Sequence, residues 1–157
     1  MSEVEAVKRE FLTCRLGEET YGVDILQVQE IREVNEVTRV PHVAPFVRGV
    51  INLRGAIVPI VDLGLMFGFP EPARLAGASA IVLSVEGRLV GLVVSSVSDV
   101  LALADEEIAP TPELGTRAIA SAIAGIGTPP DKSAGERSVL LLDVDYLMRR
   151  VREESRS

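Results

Sequence analysis

The sequence predicts a mainly β protein made of two structurally equivalent halves. Each holds about five short strands in a small barrel, around a shared apolar core with a short C-terminal helix. Three observations predict this. The chain repeats itself, turn signals recur every ~8–12 residues as in small barrels, and helical patterning is confined to a few short stretches.

The repeat emerges when residues 12–31 are laid over 81–100 without gaps. Leu16 then meets Val85, Gly22 meets Gly91, Val28 meets Val97, Glu30 meets Asp99 and Ile31 meets Val100. After a short insertion, Gly49-Val50-Ile51 resembles Gly125-Ile126-Gly127. Val58-Pro59-Ile60-Val61-Asp62-Leu63 then lies over Val139-Leu140-Leu141-Leu142-Asp143-Val144. We expect one domain over residues 10–157, with approximate halves at 10–67 and 78–148. Pro70 and Pro72 mark a linker over 68–77, and strands or helices have room to exchange between halves. Each half is too small to bury much surface alone, and packing them together solves that problem.

Each half opens with a strand, a tight turn and a second strand. Leu12, Cys14 and Leu16 alternate with Thr13 and Arg15, and Gly17-Glu18-Glu19 turns the chain into Tyr21-Gly22-Val23. Residues 80–85 are apolar without a break, which predicts a strand buried on both faces. Between 47 and 63, two β-branched runs flank Arg54-Gly55-Ala56, a hairpin with glycine available for a positive-φ position. This turn places a guanidinium at an exposed tip with Asn52 behind it. Pro59 cannot donate to a ladder, so its strand should have a free side there.

Residues 62–67 are expected to form one helical turn, and 143–154 a longer helix. In the latter, Val144, Leu147 and Val151 share a face, and Arg149, Arg150 and Arg152 lie toward the end that favours cations. Asp62 and Asp143 stand at equivalent places and read as helix caps. Residues 116–124 carry alanines that favour helix, yet the repeat equates Ala124-Gly125-Ile126 with a strand, and the reading follows the repeat. Residues 128–136 read as a flexible loop.

Composition narrows the function. The chain is 47% hydrophobic without tryptophan, so aliphatic side chains fill the core. A net charge of −7 argues against nucleic acid. No run of ~20 apolar residues offers a membrane span, and the acidic start lacks a signal peptide's basic region. Cys14 is alone, so no intrachain disulfide forms, and a soluble cytoplasmic protein is expected.

Catalytic chemistry is scarce. His42 is the sole histidine and lacks partners for a metal or catalytic set, so it reads as a loop residue. Cys14 shares a face with Leu12 and Leu16 and reads as a buried, inert thiol. Asp105, Glu106 and Glu107 are consecutive and read as a solvated turn. No enzyme, cofactor or metal site is therefore expected. The repeat supplies a further criterion: features shared by both halves are demanded by the fold, and features of one half need another reason. Asn52-Leu53-Arg54-Gly55 has no counterpart. Its guanidinium is read as pairing with a carboxylate on a partner.

These residues resemble the CheW family, the adaptor proteins of bacterial chemotaxis. The marks run from Phe11 to Leu147: Tyr21-Gly22-Val23-Asp24, Val28-Gln29-Glu30-Ile31, Thr38-Arg39-Val40-Pro41, Gly49-Val50-Ile51-Asn52-Leu53-Arg54-Gly55, Val58-Pro59-Ile60-Val61-Asp62-Leu63, Gly91-Leu92-Val93-Val94 and Leu142-Asp143-Val144-Asp145. The resemblance implies two tandem SH3-like five-stranded β-barrels and no catalysis. It implies a scaffold between the cytoplasmic tips of methyl-accepting chemoreceptors and the regulatory domain of a CheA-type histidine kinase. Such a scaffold would be recruited with its partners into arrays at the inner face of the membrane. A monomer in isolation is expected because no long heptad or large aliphatic stripe outside the barrels demands a permanent dimer. Carried over by position, Val28, Glu30, Ile31, Gly49 and Arg54 would belong to the partner-binding surface. A receptor helical hairpin would lie in the groove between the barrels, and the kinase domain would dock on exposed apolar strand ends. Gly64 stands where the family commonly has Arg, and Ser95 where many members have Asp; both point to altered partner choice. The competing readings are a paralogue in a twitching or gliding pathway, a regulator that sequesters one partner, and a small-molecule-binding barrel pair or unrecognised hydrolase.

Overall fold

A computed structural model describes residues 7–112, 117–129 and 138–154. Strands β1 (Lys8–Leu16) and β2 (Glu19–Asp24) form a hairpin, and a 3₁₀ turn at Ile25–Gln27 leads into β3 (Val28–Val34). A second hairpin, β4 (Val47–Leu53) and β5 (Ala56–Asp62), runs into α1 (Leu63–Met66). A third, β6 (Ala78–Val85) and β7 (Arg88–Val94), is followed by β8 (Ser96–Ala104) and β9 (Ile108–Ala109). Helix α2 (Arg117–Ala122), strands β10 (Ile123–Gly127) and β11 (Val139–Leu142), and helix α3 (Val144–Glu154) complete the elements of the described residues.

Two sheets result, ordered β8-β1-β2-β11-β10-β9 and β3-β6-β7-β5-β4. Under the repeat, β1, β2, β3, β4 and β5 correspond to β6, β7, β8, β10 and β11. The two orders are then identical, apart from the extra two-residue strand β9. The sheets do not follow the halves 10–67 and 78–148. The opening hairpin of each half crosses over and pairs with the later strands of the other: β1 with β8, and β6 with β3. This exchange forces each half to complete the other's sheet.

The repeated residues have matching duties. Asp62 donates its N–H to the Phe46 carbonyl (2.7 Å) and Asp143 to the Ala122 carbonyl (2.8 Å). Each also caps a helix, its carboxylate accepting from Leu65 N–H (3.1 Å) or Tyr146 N–H (3.0 Å). A β-carbon on Gly22 would lie 2.9 Å from Leu141, and one on Gly91 2.9 Å from Ile60. Both glycines thus admit the close parallel pairing of β2 with β11 and of β7 with β5. Pro59 faces Val50 and sits one residue before the ladder to β7 begins, where no donor is required.

The largest apolar cluster spans both sheets and both helical ends, including Leu12, Cys14, Val23, Val61, Ile81, Leu83 and Leu147. Residues 80–83 of β6 are buried on both faces. Val144, Leu147 and Val151 anchor α3 in the same core. Burial pushes the Cys14 thiol up to about 12, so it stays protonated and unreactive. Residues 117–122 are helical and the strand starts only at Ile123, so local alanine propensity prevails up to that point. Of the loop expected at 128–136, residues 130–136 lie outside the described residues.

Candidate functional site

The tip of the β4–β5 hairpin is a two-residue turn with φ of +52° at Arg54 and +90° at Gly55. Positive φ at both central residues makes it type I′, whose twist suits a hairpin. Asn52 Oδ1 accepts from Gly55 N–H (2.8 Å) and fixes the turn. Holding arginine in this conformation costs about 1–2 kcal/mol, a cost set against the hairpin's register and the contact that follows.

That contact is with β3. A β-bulge between Val28 and Glu30 re-aims the strand, and Arg54 Nη2 donates to Glu30 Oε2 at 2.7 Å. Arg32 Nη1 is a weaker neighbour of Glu30, at 3.5 Å. The Arg54 hydrogen bond is the first cause holding the Glu30 carboxyl below its ordinary value, with the charges of Arg54 and Arg32 adding to it. Arg54 remains 64% exposed and uses one terminal nitrogen, so its other donors face solvent. Beside this pair on β3, Ile31 is 50% exposed, whereas Val28 packs partly against the shared core.

Gly49 does not join them. It is buried with φ of +145°, and a β-carbon there would meet the Thr38 carbonyl oxygen and lie 2.5 Å from Val37 Cγ1. Thr38 bridges Val50 through two backbone hydrogen bonds, so the glycine admits the neighbouring chain. This geometry gives Gly49 a structural role in the fold. Arg54 therefore already has a carboxylate partner within the chain.

Sequence reasoning missed other exposed aliphatics: Leu26 (89%), Ile57 (61%) and Val100 (49%). Val100 was signalled by the repeat, which pairs it with Ile31, but the criterion that shared features serve the fold concealed it. It also missed Arg48, which donates to Asp62 Oδ2 (3.0 Å) and the Ala73 carbonyl (2.7 Å). Ala73 N–H donates to the same carboxylate oxygen (2.8 Å), pinning the linker to the α1 cap. Gly64 and Ser95, which depart from the family pattern, both make local contacts. A β-carbon on buried Gly64 would lie 2.8 Å from Phe69, and Ser95 Oγ accepts from Gly17 N–H at 3.4 Å. His42 is exposed on the β3–β4 loop.

Comparison with known proteins gives one consistent answer. The CheW-like domain matches residues 10–152. Chemotaxis protein CheW of Klebsiella aerogenes is 43% identical over 144 residues, covering 92% of this chain and 84% of its own. The probable chemotaxis protein CheW of Rhizobium etli is 42% identical over 108 residues, covering 69% and 70%. The crystal structure of the scaffolding protein TtCheW from Thermoanaerobacter tengcongensis superposes with a TM-score of 0.76 at 27% identity. It covers 87% of this chain and 90% of that one.

Proposed function

The chain belongs to the CheW-like family, and from that premise we propose that it is a non-catalytic adaptor coupling chemoreceptor tips to a CheA-type histidine kinase in chemotaxis. The observation that carries this reading is the family match over residues 10–152, which includes both sheets. The geometry supports it. The Glu30 bridge holds Arg54 in one orientation before a partner arrives, which lowers the ordering cost of binding. Ile31 adds exposed apolar surface beside it, its burial contributing on the order of 1 kcal/mol.

In this proposal the strip made by Glu30 and Ile31 of β3 with Arg54 of the β4–β5 turn takes the receptor's helical hairpin. The kinase regulatory domain docks on exposed apolar strand ends, for which Leu26, in the 3₁₀ turn between β2 and β3, is suited. No helix among the described residues is long and apolar enough to cross a membrane. The adaptor works in the cytoplasm, a monomer when isolated, and its partners hold it on receptor arrays. Each contact is modest in size and reversible.

The test is bridging itself. Receptor cytoplasmic fragments are attached to vesicles and sedimented with the kinase, with and without this chain. Kinase that sediments only when the chain is present supports the adaptor. Kinase retained equally without it, or a chain that binds one partner and excludes the other, overturns the proposal.

A further inference from the structure

The loop between β3 and β4 builds a second surface. Residues 35–46 are held by the Thr38–Val50 bridge (2.9 and 2.8 Å) and by a turn from Val47 N–H to the Ala44 carbonyl (2.9 Å). With Arg48 of β4 and Leu75 of the linker, the loop walls a cleft of about 610 Å³. Exposed Val40 and half-buried Val37 and Val43 contribute to its apolar lining, with Val47 buried at its base. Its charged or ionisable lining residues are Arg39, His42 and Arg48, without a carboxylate. The chain has 23 acidic and 16 basic side chains, so a cleft lined by basic groups alone runs against the surface at large.

The two arginines differ in what they have left to give. Arg48 is committed to Asp62 and the Ala73 carbonyl. Arg39 is exposed, and among the described residues no carboxylate pairs with it. A guanidinium beside an apolar wall binds a carboxylate more strongly than one in open water, because the wall lowers the local dielectric. A small free anion would leave the valines wet, whereas a peptide covers them. Arg54 lies in the turn at the hairpin tip, six residues beyond Arg48 of β4 and roughly 20 Å along the extended chain, so this cleft is separate from the Glu30–Arg54 strip.

We propose that this cleft binds an acidic segment of a partner protein, with a carboxylate on Arg39 and a neighbouring aliphatic side chain against the loop valines. The site goes beyond the receptor and kinase surfaces proposed above and does not depend on them.

The test is amide chemical-shift mapping of the full chain with three probes: acetyl-Glu-Leu-Asp-Leu-Glu-amide, its Gln/Asn counterpart, and sodium glutarate. The expected result is that the acidic peptide shifts residues 37–48 and Leu75. The neutral peptide and glutarate should bind at least about tenfold more weakly. Arg39→Gln should reduce acidic-peptide affinity by a similar factor with an unchanged melting temperature, and Arg54→Ala should leave it intact. Equal binding of the neutral peptide, equal binding of glutarate, shifts centred on residues 28–32 and 54, or no shifts would each overturn the proposal.

Discussion

Arg54 Nη2 lies 2.7 Å from Glu30 Oε2, joining the tip of the β4–β5 hairpin to β3. Because β3 and β4 are the outermost strands of the five-stranded sheet, the pair spans its seam. One bond thus ties together the sheet's two edges and orients the charge that the proposal places at a partner interface. The bridge is exposed enough for a partner to compete for it or extend it.

Its electrostatics can be measured alone. The Arg54 hydrogen bond holds the Glu30 carboxyl below its ordinary 4.5. A depressed acid means that the ionised form is favoured in the folded chain. The bridge's contribution is therefore complete above pH 4.5 and is lost as pH falls through the lower folded-state value. Carboxyl-carbon NMR should show the Glu30 midpoint below 4.5 and a return toward it in Arg54→Ala. An identical midpoint in both proteins would contradict the pairing.

Gly49→Ala should destabilise the chain by about 2 kcal/mol or more, because the new side chain meets the Thr38 carbonyl at a φ few residues tolerate. Gly49→Asp should be worse. Calorimetry should show a melting temperature lower by on the order of 5 °C or more. A variant that melts like wild type yet fails to bind partners would return Gly49 to the interface.

Asp62 and Asp143 are equivalent by the repeat but unequal in energy. Asp143→Ala removes a helix cap and should cost about 1 kcal/mol. Asp62→Ala also strands Arg48 and releases Ala73 N–H around a site where the carboxylate is 1% exposed, and should cost about 3 kcal/mol or more. Denaturant titration of the two variants compares them directly. Equal losses would mean that the Arg48 pair adds nothing.

The sequence disclosed some of this architecture and hid the rest for identifiable reasons. The apolar face of α3, the buried β6 strand and the two aspartate caps were legible because they are local patterns. Room for exchange between the halves was anticipated, but not which elements exchange, since a repeat shows which segments are equivalent and cannot show which copy of a strand β1 pairs with. Arg54 stood out because the other half lacks it. Its partner Glu30, 24 residues earlier, becomes a neighbour only when the sheet curls on itself. The crowding at Gly49 was not legible because it comes from Thr38, whose bridge to Val50 has no local signature, although the match to Gly125 hinted at a backbone role. Exposed Val100 was passed over because positions shared by both halves were read as serving the fold, whereas its counterpart Ile31 was singled out by the family resemblance.

The most direct test of the account is titration of wild type, Arg54→Ala and the charge exchange Glu30→Arg/Arg54→Glu against a receptor-tip fragment and, separately, the kinase regulatory domain. The account predicts that Arg54→Ala melts close to wild type but binds the receptor fragment at least about tenfold more weakly, the loss of a charge-assisted contact. The exchange variant should restore the bridge without restoring affinity, because the partner meets a carboxylate where it needs a guanidinium. Wild-type affinity for both partners in Arg54→Ala, or full recovery in the exchange variant, would contradict it.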